Sequence, residues 1–227
     1  MCDLNMPKRK LVWLDLETGG LNGYQEGGFY GAATYPILEI ACFVTDLEMS
    51  EDIEDITDFE VAIHASSDDI AKLHPWALEQ HTKSGLLDKC RQSDVTLKDA
   101  EGQLIQFLKD QGVIPFNRDA PDDNGVLIGN SIGFDRDFIR HQMPALDHFL
   151  HYQMVDLSGF KYAFPEHLTP IDKAHAHTAL SDIRESFKEL QAYREQLESR
   201  EACRGLEREG TLTPRQPAEY RRIELEG

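Results

Sequence analysis

Leu11-Val-Trp-Leu-Asp-Leu-Glu-Thr-Gly-Gly-Leu21 opens with an apolar run and then sets Asp15 and Glu17 two positions apart. On a β-strand, side chains at i and i+2 share a face. Both carboxylates therefore project together from an otherwise hydrophobic element. Two like charges side by side at the end of a buried strand are costly unless something neutralises them. Hard divalent cations such as Mg²⁺ are the usual neutraliser, because they favour carboxylate and water oxygens. Thr18-Gly19-Gly20 lets the chain turn and lets a ligand come close to the backbone. Alone, a D-x-E pair fits a strand-end aspartate and a solvated glutamate just as well, so the rest of the chain has to decide.

The chain has 227 residues, enough for one large domain. Its 41% hydrophobic and 28% charged residues fit a globular protein with a sizeable core. No apolar run is long enough to span a membrane, and none follows Lys8-Arg9-Lys10 to form a signal peptide. Cys2, Cys42, Cys90 and Cys203 make no C-x-x-C pair, so neither a disulfide framework nor a zinc site is expected, and a reducing cytoplasm is. The net charge of −18 excludes a long basic track for nucleic acid, which needs many Lys and Arg contacts to phosphate. It does not exclude a small phosphate ligand held through cations, which invert the local sign.

Around the opening stretch the chain alternates strand and helix signals. Asn22–Tyr35 carries Gly23, Gly27, Gly28 and Gly31 among aromatics and reads as a loop. It is either a plain connection or a flap beside the carboxylates whose rings could stack on bases. Ile37–Thr45 and Asp58–Ile63 read as strands, with the acidic segment Glu48–Asp55 as an exposed turn between them. Ser67–Leu73 and Pro75–Gln92 read as helical, the second broken near Gly85; on the plainest reading, with no functional role, Trp76 would be core and His81 an ordinary surface histidine. Thr96 and Asp99 form a capping signal for an amphipathic helix over Leu97–Gln111, which Gly112 ends. Val126–Gly129 is a short buried strand, followed by a helix to Met143 that Pro144 terminates. Tyr152–Asp156 is a fifth strand, and Lys161–Lys173 is irregular. A last helix runs to about Leu197. The expected organisation is one domain over residues 1–197, with 198–227 a charged tail that is at best partly ordered.

Four acids now stand at element ends: Asp15 and Glu17 on the first strand, Asp135 just past the fourth, and Asp182 in the first turn of the last helix. Strand ends of open α/β sheets are where ligands gather, and a helix N-terminus favours negative charge. His177 precedes Asp182 by five positions. Four carboxylates can hold two divalent metals about 4 Å apart, an arrangement suited to in-line attack on a phosphodiester.

Asp15-x-Glu17, Asp135 and His177-x-x-x-x-Asp182 resemble the signature of the DEDDh exonucleases. More narrowly, segments around Asp15, Glu39, His81, Asp135 and Asp182 are similar to the oligoribonuclease family, with Gly129-Asn-Ser-Ile-Gly133 and the His81 segment the most specific. The likeness covers about Leu11–Arg194. It implies an α/β, ribonuclease H-like fold with a central, mixed, mainly parallel, five-stranded sheet flanked by helices. It also implies a homodimer that degrades short RNA, preferentially dinucleotides, in the 3′ to 5′ direction, with short DNA as a further candidate substrate. By this resemblance Asp15, Glu17, Asp135 and Asp182 bind two Mg²⁺ or Mn²⁺ ions, and His177 is the general base, a role that an imidazole's near-neutral pKa suits. His175 is expected to be non-catalytic. Leu21 matches a residue that wedges between the bases. Trp76, His81, Asn130 and Ser131 match residues around the 5′ end, and Tyr152 matches a tyrosine supplied by the other subunit. The chain departs from the family in its longer Asn22–Tyr35 segment, in Thr18-Gly19-Gly20 where Met-Thr-Gly is common, and in Ser181-Asp182 where Asp-Asp is usual. Rival expectations are a broader single-strand DNA or RNA exonuclease and a non-catalytic nucleotide-binding module.

Overall fold

The computed structural model describes residues 8–120, 122–165, 168 and 178–208. Strand β1 (Lys10–Thr18) is the middle of a five-stranded sheet in the order β3-β2-β1-β4-β5. Strands β2 (Ile37–Thr45) and β3 (Asp58–Ala62) continue it as an antiparallel meander; β4 (Gly125–Gly129) and β5 (Met154–Asp156) lie parallel on the other side. The five strands are those expected from the apolar runs, and the sheet is mixed as the resemblance implies, but it is evenly divided rather than mainly parallel: β1–β2 and β2–β3 pair antiparallel, β1–β4 and β4–β5 parallel.

Alternation along β1 divides the core. Val12, Leu14 and Leu16 face one way, onto helices α5 (Leu97–Asp110), α6 (Gly133–Gln142) and α7 (Pro144–Phe149). Leu11 and Trp13 face the other way, onto α9 (Ala179–Arg208), which contributes Ile183, Phe187 and Leu190. Trp13 stacks on Phe43, meets Phe187 edge-on at 5.4 Å, and donates its indole N–H to Thr45 Oγ1 at 3.1 Å. Each such fully buried aromatic contributes about 1.5–3 kcal/mol through area removed from water. Asp15 and Glu17 fall on the Trp13 side by the same alternation, so the acids point toward the N-terminal end of α9.

Thr96 and Asp99 form a reciprocal capping box at the start of α5. Gly112, at φ +80°, closes that helix in a conformation that a side chain disfavours. The expected break at Gly85 separates α3 (Pro75–Lys83) from α4 (Leu86–Gln92), and Ser67–Ile70 forms the short α2.

The remaining expectations need correction. Asn22–Tyr35 is not wholly irregular: Tyr24 and Tyr30 form a bridge, and Gly31–Thr34 is a short helix, α1. Pro144 does more than stop α6, because it occupies the first turn of α7, where its missing N–H costs nothing. Ser158–Ala163 forms α8, whose last three residues enter the Lys161–Lys173 stretch expected to be irregular. Met49, Ile53 and Ile56 bury themselves against the α9 side, so the segment after β2 is not a simple exposed turn. Helix α9 runs through residue 198 to Arg208, since Glu, Arg, Ala and Leu around there all favour helix. Residues 209–227 of the expected tail lie outside the described residues. Cys42 and Cys90 are free, buried thiols. Among the described residues no helix is long and apolar enough to cross a membrane.

Candidate active site

The C-terminal half of β1 assembles the site. Asp15 and Glu17 offer carboxylate oxygens that lie, with one from Asp182 in the first turn of α9, within 4.8 Å of one another. Three acids from two elements far apart in sequence thus share one point in space. The fourth, Asp135, sits in the first turn of α6 and accepts the backbone N–H of Leu16 at 3.0 Å, which pins that helix to the strand between the two acids.

The electrostatics of this cluster are unbalanced. Burial pushes the Asp15 carboxyl well above its ordinary range, and Asp135, Glu17, Asp182 and Glu39 all push it further the same way. Burial, then Asp182 and Glu39, raise Glu17 from 4.5 to about 7. Burial also raises Asp135, against the lowering effect of its bond to Leu16. Buried carboxyls that repel each other in this way are stable as anions only if a cation joins them. Oxygen-only donors at this spacing suit a hard divalent ion such as Mg²⁺ or Mn²⁺.

Glu39 is a further acid at the site that spacing did not single out. It lies directly across from Glu17 in the β1–β2 register, in a strand every residue of which is buried. Its carboxylate meets Lys89 at 3.4 Å and accepts the backbone N–H of Ala179, the first residue of α9. Burial raises its pKa, and Lys89 and the Ala179 bond oppose that rise. Glu39 therefore fastens the start of the helix that carries Asp182. The signal that could have found it is a lone charge inside an apolar strand.

Beside the acids opens a cleft of about 430 Å³, lined by Glu17 together with Leu21, Trp76, His81, Phe134 and His74. The expected burials of Trp76 and His81 are reversed. Trp76 is 63% exposed on the cleft wall and Leu21 is 65% exposed at its rim, while His81 is only 6% exposed. The His81 Nε2 group donates to the carbonyl of Thr18 at 2.9 Å, which leaves Nδ1 as an acceptor 3.9 Å from Glu17 Oε2. Burial lowers the His81 pKa against the raising effect of that bond, so the ring is neutral near pH 7. Two large apolar side chains held open to solvent beside a carboxylate cluster suit the flat faces of bases. Phe134, adjacent to Asp135, and His74, whose Nδ1 accepts the backbone N–H of Trp76 at 3.2 Å, are cleft residues not named from the sequence.

Three expected substrate residues do not line this cleft. The Asn130 amide donates to Ser186 at 2.9 Å and to Glu189 at 2.8 Å, and its oxygen accepts from Ser158, so its side chain is used within the fold. Ser131 adopts φ +53° and gives its N–H to Asp156 and Ser158. Tyr152 stands exposed before β5, stacked on His151 with ring centroids 4.6 Å apart. His177, with His175, lies outside the described residues.

Comparison with known proteins agrees with this geometry. The profile of a family described as "Exonuclease", RNase_T, matches residues 12–190. An oligoribonuclease of Vibrio campbellii is 36% identical over 199 residues, covering 85% of this chain and 97% of that protein. One from Rhodococcus jostii is 38% identical over 190 residues, covering 82% of this chain and 86% of its own length. A probable oligoribonuclease of Schizosaccharomyces pombe is 35% identical, over 82% of this chain and 68% of that one. Among solved structures, S. pombe Pop2p in its Mg²⁺- and Mn²⁺-bound form superposes with a TM-score of 0.53 at 12% identity, covering 79% of this chain and 81% of that one. E. coli exonuclease I with a dT13 oligonucleotide gives 0.53 at 15% identity over 80% of this chain, which spans only 40% of that larger protein. At such identities these two likenesses speak for the fold alone.

Proposed function

Given that the chain belongs to the RNase_T exonuclease family and, within it, to the oligoribonucleases, we propose that it hydrolyses very short RNA, dinucleotides above all, from the 3′ end by metal-dependent cleavage of the phosphodiester. The observation that carries this reading is the meeting of Asp15, Glu17 and Asp182 within 4.8 Å at the side of a cleft walled by exposed Leu21 and Trp76. A dinucleotide presents few phosphates, so a protein of net charge −18 can bind it without a basic track.

Asp15, Glu17, Asp135 and Asp182 would hold two divalent ions, Mg²⁺ or Mn²⁺. When bound, such ions lower the pKa of attacking water and offset the charge that builds on the leaving 3′ oxygen. His177 would serve as the general base that takes the proton from the attacking water. Glu39 keeps the start of α9 seated on β2, and with it Asp182. Leu21 and Trp76 take the bases by apolar contact and stacking, worth about 1–3 kcal/mol per base. His81 lines the cleft with its ring fixed by Thr18. Asn130, bonded to Ser186 and Glu189, and Ser131, bonded to Asp156 and Ser158, hold the turn between β4 and α6 in shape near the 5′ end of the substrate. In a homodimer, a second copy of the chain would add its exposed Tyr152 to the cleft, and the cytoplasm is the expected compartment.

The test is cleavage of 5′-phosphorylated RNA and DNA of graded length by the purified protein with Mn²⁺. Preference for two-residue RNA supports the reading. Undiminished turnover of long strands supports a broad exonuclease, and no turnover at any length supports a binding module.

A further inference from the structure

The segment between Leu21 and β2 is fastened at several points. Its ends are joined, because the N–H of Gly31 donates to Gly23 at 2.9 Å and that of Ala32 donates to Asn22 at 2.8 Å. Its outer face is pinned to α6. One carboxylate oxygen of Asp137, Oδ2, accepts both the Asn22 amide at 3.1 Å and the Tyr30 hydroxyl at 2.7 Å. Gln142, at the end of the same helix, donates to the carbonyls of Ala32 at 2.7 Å and Tyr35 at 2.8 Å. His141 closes the corner, its Nδ1 bonded to the Asp137 carbonyl at 2.8 Å and its ring 5.1 Å from that of Tyr30.

Inside the segment so anchored, Gln25 holds the backbone of Leu21. The Gln25 amide donates to the Leu21 carbonyl at 3.2 Å and to that of Gly23 at 2.7 Å. The chain passes so close that a Cβ at Gly31 would overlap the Leu21 carbonyl oxygen, so only glycine fits there. Leu21 thus has a fixed main chain and an exposed side chain at the rim of the cleft. An apolar group held in place before a ligand arrives costs less to order on binding.

We propose that Asp137 is a positioning residue which, through the segment 22–35, holds Leu21 at the cleft rim and thereby sets the affinity for the terminal bases of the substrate. Helix α6 then mounts two parts of the site at once: Asp135 toward the sheet and, two residues on, Asp137 toward the rim. This rests on the reading of the cleft as the seat of RNA bases.

The experiment is a double-mutant cycle on kcat and KM with two-residue and longer RNA in Mn²⁺, using Leu21→Ala, Asp137→Ala and the double variant, with Tyr30→Phe as a milder probe that removes one hydrogen bond. Asp137→Ala, which removes both hydrogen bonds to that carboxylate, is expected to raise KM by about tenfold or more, with kcat and the Mn²⁺ requirement unchanged. Tyr30→Phe moves KM in the same direction by less. The double variant should be no worse than Leu21→Ala alone, since Asp137 acts through that side chain. Additive effects, or a fall in kcat at unchanged KM, would overturn the proposal. If Asp137→Ala lowers the melting temperature sharply, Tyr30→Phe carries the same comparison. A wild-type protein with no preference for short RNA would sink the length statement of the proposed function. The cycle, read on whichever RNA is cleaved, still decides this one.

Discussion

Replacing Glu17 by glutamine should make the protein more stable and less active, and the gain should depend on pH. Glu17 rises from 4.5 to about 7 in the fold because of burial and the neighbouring Asp182 and Glu39. Between those values the folded, metal-free protein binds a proton that the unfolded chain has lost. Its stability is therefore intact below pH 4.5 and declines as pH climbs through about 7. Integrated over that window, the penalty on the wild type is about 1 kcal/mol at pH 5 and about 3 kcal/mol at pH 8. The side chain is 21% exposed, so solvent screening trims this to about 2 kcal/mol at pH 8. Glutamine keeps the shape and removes the charge, and it also relieves Asp15, which Glu17 raises. Thermal melting in a chelator should then show Glu17→Gln above the wild type by about 4–8 °C at pH 8 and by much less at pH 5. With saturating Mn²⁺ the order should invert, because an ion that binds only the native state stabilises the protein with the complete ligand set most. A variant less stable than the wild type in chelator at pH 8, or a gap equal at both pH values, refutes the idea that unneutralised negative charge dominates this site.

Asp15→Ala should reduce turnover to background while circular dichroism stays that of the folded protein, since the side chain is one of the clustered acids proposed to hold metal rather than a core group; retained activity counts against the assignment. His177→Ala should lower kcat by about two to four orders of magnitude with little change in KM, as expected for loss of a general base. Trp76→Ala should raise KM by about 5- to 100-fold, from stacking of about 1–3 kcal/mol, and an unchanged KM would remove the indole from the binding surface. Glu39→Ala should cost about 1–3 kcal/mol of stability and reduce kcat, while Glu39→Gln, which still accepts the Ala179 N–H, should recover much of the activity; equal damage by both would mean that charge, not seating of α9, is what matters.

Strand β1 and the placement of its two acids could be read from the sequence because an apolar run and a period of two leave few alternatives, and β2 and α5 followed from similarly unambiguous signals. Asp135 and Asp182 were legible as first-turn residues of helices. Their approach to Asp15 and Glu17 was expected from their shared place at element ends and from the family resemblance rather than from any local signal, because it depends on which face of the sheet each helix covers. Pro144 reads in the sequence as a stop but is equally a start, so nothing local announces α7. Trp76 and His81 show the main limit. A short helix carrying one indole and one imidazole gives no clue to which faces solvent, and here the cleft takes the indole while the Thr18 carbonyl captures the imidazole. Glu39 was hidden because its role arises from strand register and from the end of a helix 140 positions away in the chain, Ala179.

The contrasting settings of the protein's two tryptophans give it a built-in pair of optical probes. The indole at 13 is sealed between Phe43 and Phe187, so its emission should be blue-shifted, indifferent to iodide and lost only when the sheet comes apart. The indole at 76 stands in water on the cleft wall, so it should emit further to the red, be quenched by iodide and be shielded when a base stacks upon it. Unfolding and ligand occupancy can therefore be followed in the same cuvette without a label, one by each ring.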